Sequence, residues 1–264
     1  MHPLPEYPRP AMRRDSYENL NGLWKYAITQ TAEYPAAWDG RILVPYSPET
    51  KASGVGRTLQ PGQWLHYHCT FAPPPGEGGR VLLHFGAVDD ACAVQVNGHL
   101  VGGHRGGYWP FTLDITAQLN DTGRNSLWVA VQDPTGHGTQ ARGKQTLKPG
   151  GMFYPAQSGI WQTVWLEKVP ETYIKEIKTV PDIEKKIIRI KVSSSYSTDK
   201  KNVDKLSRNL PIEIKIRKPG LYPDPVVKPS QISTEDMLET AVLAVSDKWI
   251  ELSLIHISEP TRPY

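Results

Sequence analysis

Between Gln63 and Phe71 the chain alternates: Leu65, Tyr67, Cys69 and Phe71 fall on one side, and Trp64, His66, His68 and Thr70 on the other. A period of two belongs to an extended strand with one buried face, because successive Cβ atoms leave opposite sides of a pleated backbone. The pattern returns in Arg80–Phe85 and Ala91–Val96, and the second of these runs into Asn97-Gly98, a dipeptide suited to the φ > 0 positions of a type I′ hairpin turn. Leu100-Val101 then begins the returning strand. Further strands are expected at Tyr108–Ile115, Ser126–Gln132 and Ile160–Glu167, and no helical period of useful length intervenes. The composition of the 264 residues agrees, since Gly 22 and Pro 24 suit turns while Trp 8 and Tyr 12 suit short aromatic-rich strands. The fold class is all-β.

Near Val169-Pro170 the texture changes, and aromatics give way to Ile/Lys alternation in Tyr173–Val180, Lys186–Ser193 and Leu210–Arg217. Ile188, Ile190, Val192 and Ile212, Ile214, Ile216 share one face, while Arg189, Lys191, Glu213 and Lys215 take the other. A second, smaller β-sandwich is expected there. The charged runs Glu184-Lys185-Lys186 and Asp199-Lys200-Lys201 read as solvated turns that protect strand edges.

A net charge of +3 is too small to imply nucleic acid or an anionic membrane as a partner. The start has no signal-peptide pattern and no stretch is long enough to span a bilayer, so a cytoplasmic protein is expected. Cys69 and Cys92 read as two small buried hydrophobes, with a single bridge left open. No cofactor is expected, and no metal: His66 and His68 share a strand face without a third ligand nearby, and read as exposed or partly packed. Ser158-Gly159 lacks the preceding glycine of a nucleophile elbow, and Gly54-Val55-Gly56-Arg57 lacks the Lys-Ser/Thr of a phosphate loop. Asp89-Asp90 fall at a turn between strands, where their side chains diverge and serve in hydrogen bonding.

Several segments occur in one order: Asn21-Gly22-Leu23-Trp24, Val44-Pro45, Ser53-Gly54-Val55-Gly56, Phe85-Gly86-Ala87-Val88-Asp89, Val94-Gln95-Val96-Asn97-Gly98, Gly106-Gly107-Tyr108-Trp109-Pro110-Phe111-Thr112-Leu113-Asp114-Ile115-Thr116, and Ser158-Gly159-Ile160-Trp161-Gln162-Thr163-Val164-Trp165-Leu166-Glu167. Together they resemble the sugar-binding jelly roll of glycoside hydrolase family 2, of the β-galactosidase/β-glucuronidase type. The resemblance implies a galactose-binding-like jelly roll over residues 1–168 and an immunoglobulin-like β-sandwich, incomplete, over 169–251. It also implies a retaining glycosidase acting on carbohydrate, a terminal β-linked galactose or glucuronate. The two catalytic carboxylates of such an enzyme stand about 5–5.5 Å apart on a (β/α)₈ barrel of about 250 residues, which this chain has no room for. The chain is therefore expected to be inactive alone, without its barrel partner, while the intact enzyme could be a homo-oligomer.

The long stretch Asp133–Gln157 corresponds to a loop that reaches the mouth of the active site in such enzymes. The resemblance makes Asp133, Arg142, Lys144, Gln145 and Tyr154 the candidate residues of a substrate rim, by hydrogen bonds to hydroxyls and ring stacking on a sugar face. Two positions depart from the family pattern: Phe153 stands where several members carry Asp, and Ser47 where some carry Asn. Finally, Leu252–Tyr264, read back into codons, resembles the end of a transposase-based sequencing adapter, so that stretch is expected not to be native; a genuine strand is the alternative. Two other functions compete with a truncated hydrolase. One is a stand-alone carbohydrate-binding module, and the other a structural β-sandwich interaction protein.

Overall fold

In the computed structural model the described residues are 3–9, 12–76, 79–120, 123–182, 184 and 187–195, together with strand residues 215–216, 232–233, 239–244 and 255–256. The chain divides into two compact units. The first comprises residues 1–8 and 15–169, the second residues 9–14 and 170–264.

The first unit contains fourteen strands: β1 (Tyr17–Asn19), β2 (Gly22–Thr29), β3 (Gly40–Val44), β4 (Trp64–Phe71), β5 (Arg80–Phe85), β6 (Val88–Asp89), β7 (Ala91–Val96), β8 (His99–Arg105), β9 (Phe111–Asp114), β10 (Asn125–Gln132), β11 (Gln145–Thr146), β12 (Tyr154–Pro155), β13 (Gly159–Ile160) and β14 (Val164–Val169). Two sheets carry the fold, one in the order β1-β14-β5-β9 and one in the order β3-β2-β4-β10-β7-β8. The all-β, jelly-roll-like class expected from the alternation is what the chain adopts, and among the described residues its helical content is two 3₁₀ turns at Lys51–Ser53 and Thr116–Gln118.

Alternation sets which residues meet between the sheets. Leu65 and Tyr67 of β4, Leu83 and Phe85 of β5, Val94 and Val96 of β7, Leu127, Val129 and Val131 of β10, and Val164 and Leu166 of β14 form one fully buried cluster. Burying such side chains contributes about 1.5–3 kcal/mol each. The hairpin between β7 and β8 closes at Asn97 (φ 51°) and Gly98 (φ 80°), both in the left-handed region that the turn requires. Asn97 also braces the turn: its Oδ1 accepts from the Ser126 N–H at 2.8 Å and its Nδ2 donates to the Gln118 carbonyl at 2.7 Å.

Two expected strands differ in extent. Tyr108–Ile115 is paired only over Phe111–Asp114, because Gly106-Gly107-Tyr108-Trp109-Pro110 forms a turn. Ile160–Glu167 is two strands: Gly159–Ile160 pairs with β6, whereas Val164–Val169 joins the four-stranded sheet. At the crossing Gln162 lies against Gly86, where an added Cβ would sit 2.8 Å from the Gln162 Cβ.

Each sheet is also covered on its outer face. Over the four-stranded sheet, the arm of residues 3–8 brings the Tyr7 hydroxyl onto the carboxylate of the fully buried Glu167, which His84 approaches at 3.2 Å. Over the six-stranded sheet, residues 30–38 bring Tyr34 and Trp38 onto His68 and Trp128. His66 is consequently fully buried, against the expectation of an exposed or partly packed ring, and stacks on Trp128 with 5.7 Å between centroids. Its Nε2 lies 2.9 Å from Thr29 Oγ1 and 3.2 Å from the Thr31 carbonyl. Cys69 and Cys92 are both free thiols, so no bridge forms. They sit on β4 and β7, which β10 separates.

The second unit contains β15 (Ile174–Asp182), β16 (Ile187–Ser194), β17 (Lys215–Ile216), β18 (Ile232–Ser233), β19 (Glu239–Ala244) and β20 (Ile255–His256). One sheet runs β15-β16-β19-β18, and β17 pairs with β20. Arg14 belongs to this unit, with its guanidinium 5.7 Å over the Tyr173 ring and donating to the Ile174 carbonyl. The expected strand Leu210–Arg217 lies outside the described residues except for 215–216, as do Lys185-Lys186 and Asp199-Lys200-Lys201 and all of the tail after Leu252 but 255–256.

Candidate functional site

The loop from Asp133 to Gln157 closes over one end of the jelly roll, and its base is built from polar groups that the strands hold buried. Asp133 is 2% exposed. Its carboxylate accepts from the Thr135 N–H at 2.7 Å and the Ser158 hydroxyl at 2.8 Å. Asp133 thereby anchors the loop base, buried and bonded to groups within the protein. Glu49 supports the other side, taking the Ser158 N–H at 3.0 Å on one oxygen and the Leu59 N–H at 3.2 Å on the other. Burial pushes the Glu49 carboxyl above the ordinary carboxylate range, against the pull of those N–H groups.

Asp89 and Asp90 are both buried, at 3% and 1% exposed. Asp89 Oδ2 accepts from Gln145 Nε2 at 3.0 Å. The same amide nitrogen lies 3.2 Å from the Tyr108 hydroxyl, and Gln145 Oε1 accepts from the Gln157 N–H at 2.8 Å. Gln145 therefore ties three segments together: β6, the turn after β8, and the returning arm of the loop. Gly107 makes room for this arrangement, since an added Cβ would sit 2.3 Å from Asp89 Oδ1. Trp161 closes the side, donating from Nε1 to the Gly107 carbonyl at 2.7 Å. Burial raises the Asp89 carboxyl to about 7, with the charges of Asp133, Asp90 and Glu49 adding to the effect and the Gln145 hydrogen bond opposing it. Burial raises Asp90 as well, while Arg105 opposes that rise.

The remaining candidates face outward. Lys144 is exposed and Tyr154 is 64% exposed, with the Tyr154 N–H donating to the Lys144 carbonyl at 3.0 Å. Arg142 is half-buried and spends one guanidinium N–H on the Gly138 carbonyl at 3.1 Å. Met152, Phe153 and Tyr108 extend this face, and Trp109, 71% exposed, flanks the turn. Strand pairing of Gln145 with Tyr154 brings the two arms of the loop side by side. Ser47, at the other departing position, is buried. Among the described residues no group of three or more His, Cys, Asp or Glu side chains is arranged to hold a metal ion.

Glu49, Asp89 and Tyr108 were not singled out from sequence as loop supports. The available signal was Gly106-Gly107, whose need for close approach pointed to a tightly packed neighbour without saying which one.

Residues 50–170 match the model of the glycosyl hydrolase 2 galactose-binding domain-like family. A β-galactosidase of Thermoanaerobacter pseudethanolicus is 32% identical over 124 residues, covering 46% of this chain and 16% of that protein. A protein named as a β-glucuronidase, from Formosa agariphila, is 25% identical over 193 residues, covering 67% of this chain and 21% of that protein. Among solved structures, the Bifidobacterium dentium β-glucuronidase superposes with a TM-score of 0.63 at 22% identity, over 91% of this chain and 44% of that one. The Faecalibacterium prausnitzii β-glucuronidase gives 0.60 at 20% identity, over 92% and 42%. This chain thus spans about a fifth or less of the two sequence relatives, and over residues 50–170 it is similar to the galactose-binding domain-like family of glycosyl hydrolase 2.

Proposed function

We propose that this chain is the N-terminal portion of a retaining glycoside hydrolase that removes a terminal β-linked galactose or glucuronate, and that it has no hydrolytic activity by itself. The observation that carries the reading is the loop face: Lys144, Tyr154 and in part Arg142 stand outward on a loop whose inner side is held by Gln145 and Asp133. A cationic pair and exposed rings suit a sugar, the cations through hydroxyl or carboxylate oxygens and the rings through stacking on a pyranose face. The two named relatives supply the choice of galactose or glucuronate, and the small share of their length that this chain covers supports the inactivity of the fragment.

A reducing, cytoplasmic setting belongs to the same reading, and the two thiols on non-adjacent strands support it. Release of nitrophenol from a β-galactoside and from a β-glucuronide is the test. The chain alone should release none, whereas the product of the source gene read past the codon for Glu251 should release it from one of the two. Hydrolysis by the chain alone would overturn the reading, and glycan binding by calorimetry without hydrolysis in the longer product would replace it with a carbohydrate-binding module.

A further inference from the structure

Asp89 is the point at which the long loop meets the frame of the jelly roll. The titratable groups acting on it come from three directions: Asp90 beside it in the chain, Asp133 at the loop base, and Glu49 from the segment before β4. The cationic groups nearby, Arg105 and His104, act on Asp90. Among the described residues, the Gln145 amide at 3.0 Å is the hydrogen-bond donor to the Asp89 carboxylate, the Tyr108 hydroxyl shares this amide, and the bare backbone of Gly107 lies against the carboxylate. The amide cannot turn around, because its oxygen already accepts from the Gln157 N–H.

We propose that Asp89, acting through Gln145, is a positioning residue for the Asp133–Gln157 loop, and that a proton held on Asp89 locks this loop in its closed position. With the proton in place Asp89 is neutral, its carbonyl oxygen still accepts from Gln145 Nε2, and three neighbouring acids face no added charge. Without the proton a buried carboxylate sits among those acids with one amide N–H to offset it, and moving the loop aside returns it to water. The closed loop therefore binds this proton more tightly than the open one. Its advantage is full below the ordinary carboxylate value of 3.8 and is lost as pH rises through about 7. The consequence for sugar binding rests on the proposed function; the lock itself rests on the loop geometry alone.

Hydrogen exchange on the whole chain tests the lock, with amides of residues 134–156 followed beside those of β4 and β10. After correction for intrinsic rates, loop opening should be on the order of tenfold or more greater at about pH 9 than at about pH 5, with the strands unchanged. Asp89→Asn keeps a neutral carbonyl before Gln145 and cannot ionise, so its loop should stay protected at both values. Gln145→Ala should open the loop at both values. Equal protection at the two values in the unaltered chain, greater opening in acid, or a pH response that survives Asp89→Asn would overturn the proposal. If Asp89→Asn also loses strand protection, Gln145→Ala decides, and an undiminished pH response there overturns the lock. These exchange results are independent of nitrophenol release, so the lock and the glycosidase reading fail separately.

Discussion

Two segments cover the same jelly roll, and they are held down by opposite chemistry. The flap of residues 30–38 lies on the outer face of the six-stranded sheet through rings: Tyr34 against Trp128 at 5.5 Å, Trp38 against His68 at 5.6 Å, and His66 stacked on Trp128 beneath. The Asp133–Gln157 loop is held through carboxylates and amides. Apolar contact is non-directional and tolerates small shifts, whereas a buried acid needs each partner in place. The flap is accordingly a piece of core moved outside, and the loop is a pH-sensitive attachment.

The largest effect that would sharpen this contrast is loss of Trp128, which is 7% exposed and supports the flap from below. Trp128→Ala should cost about 3–5 kcal/mol in urea unfolding while leaving loop exchange at residues 134–156 unchanged. Gly107→Ala should act the other way round. Its Cβ would strike the Asp89 carboxylate 2.3 Å away, so a loss of about 1–3 kcal/mol should come with faster exchange in the loop and none in the flap.

pH separates the two covers by sign. Burial lowers both His66 and His68 below the ordinary 6.5, with Lys25, directly across from His68 on β2, adding to the second. Their contribution is intact above that value and is lost as pH falls through the lowered range, so acid should loosen the flap while it closes the loop. Exchange in both segments falling or rising together across the pH range would break the comparison. Ser126→Ala, which removes the 3.0 Å contact to His68 Nε2, should cost about 0.5–1 kcal/mol. The smallest effect belongs to neither cover: Leu100→Ser, at a side chain 67% exposed, should change stability by no more than about 0.5 kcal/mol.

The strands with a period-two apolar face were legible in advance. Residues 64–71, 80–85 and 91–96 carry apolar side chains at every second position, and Asn97-Gly98 marks the turn from the last of them into β8. Strand β2 was harder to read because Leu23, 61% exposed, puts an apolar residue on the outer face and blurs the period. Of the five rim candidates, Lys144, Tyr154 and in part Arg142 face outward, while Asp133 and Gln145 turn inward. Nothing local distinguishes these two groups. An aspartate at a strand end and a glutamine in a polar loop look like solvated residues until Ser158 and Asp89, 25 and 56 positions away in the chain, arrive beside them.

By itself, the sequence determined an all-β, jelly-roll-like fold, because period-two burial and positive-φ turns are short-range consequences of backbone geometry. Only the tertiary structure decided which polar residues are buried. His66 lies under a flap, and Asp89 under a loop, because distant segments fold over them and exclude water. That exclusion moves their protonation equilibria in opposite directions, since burial disfavours whichever form of a group is charged.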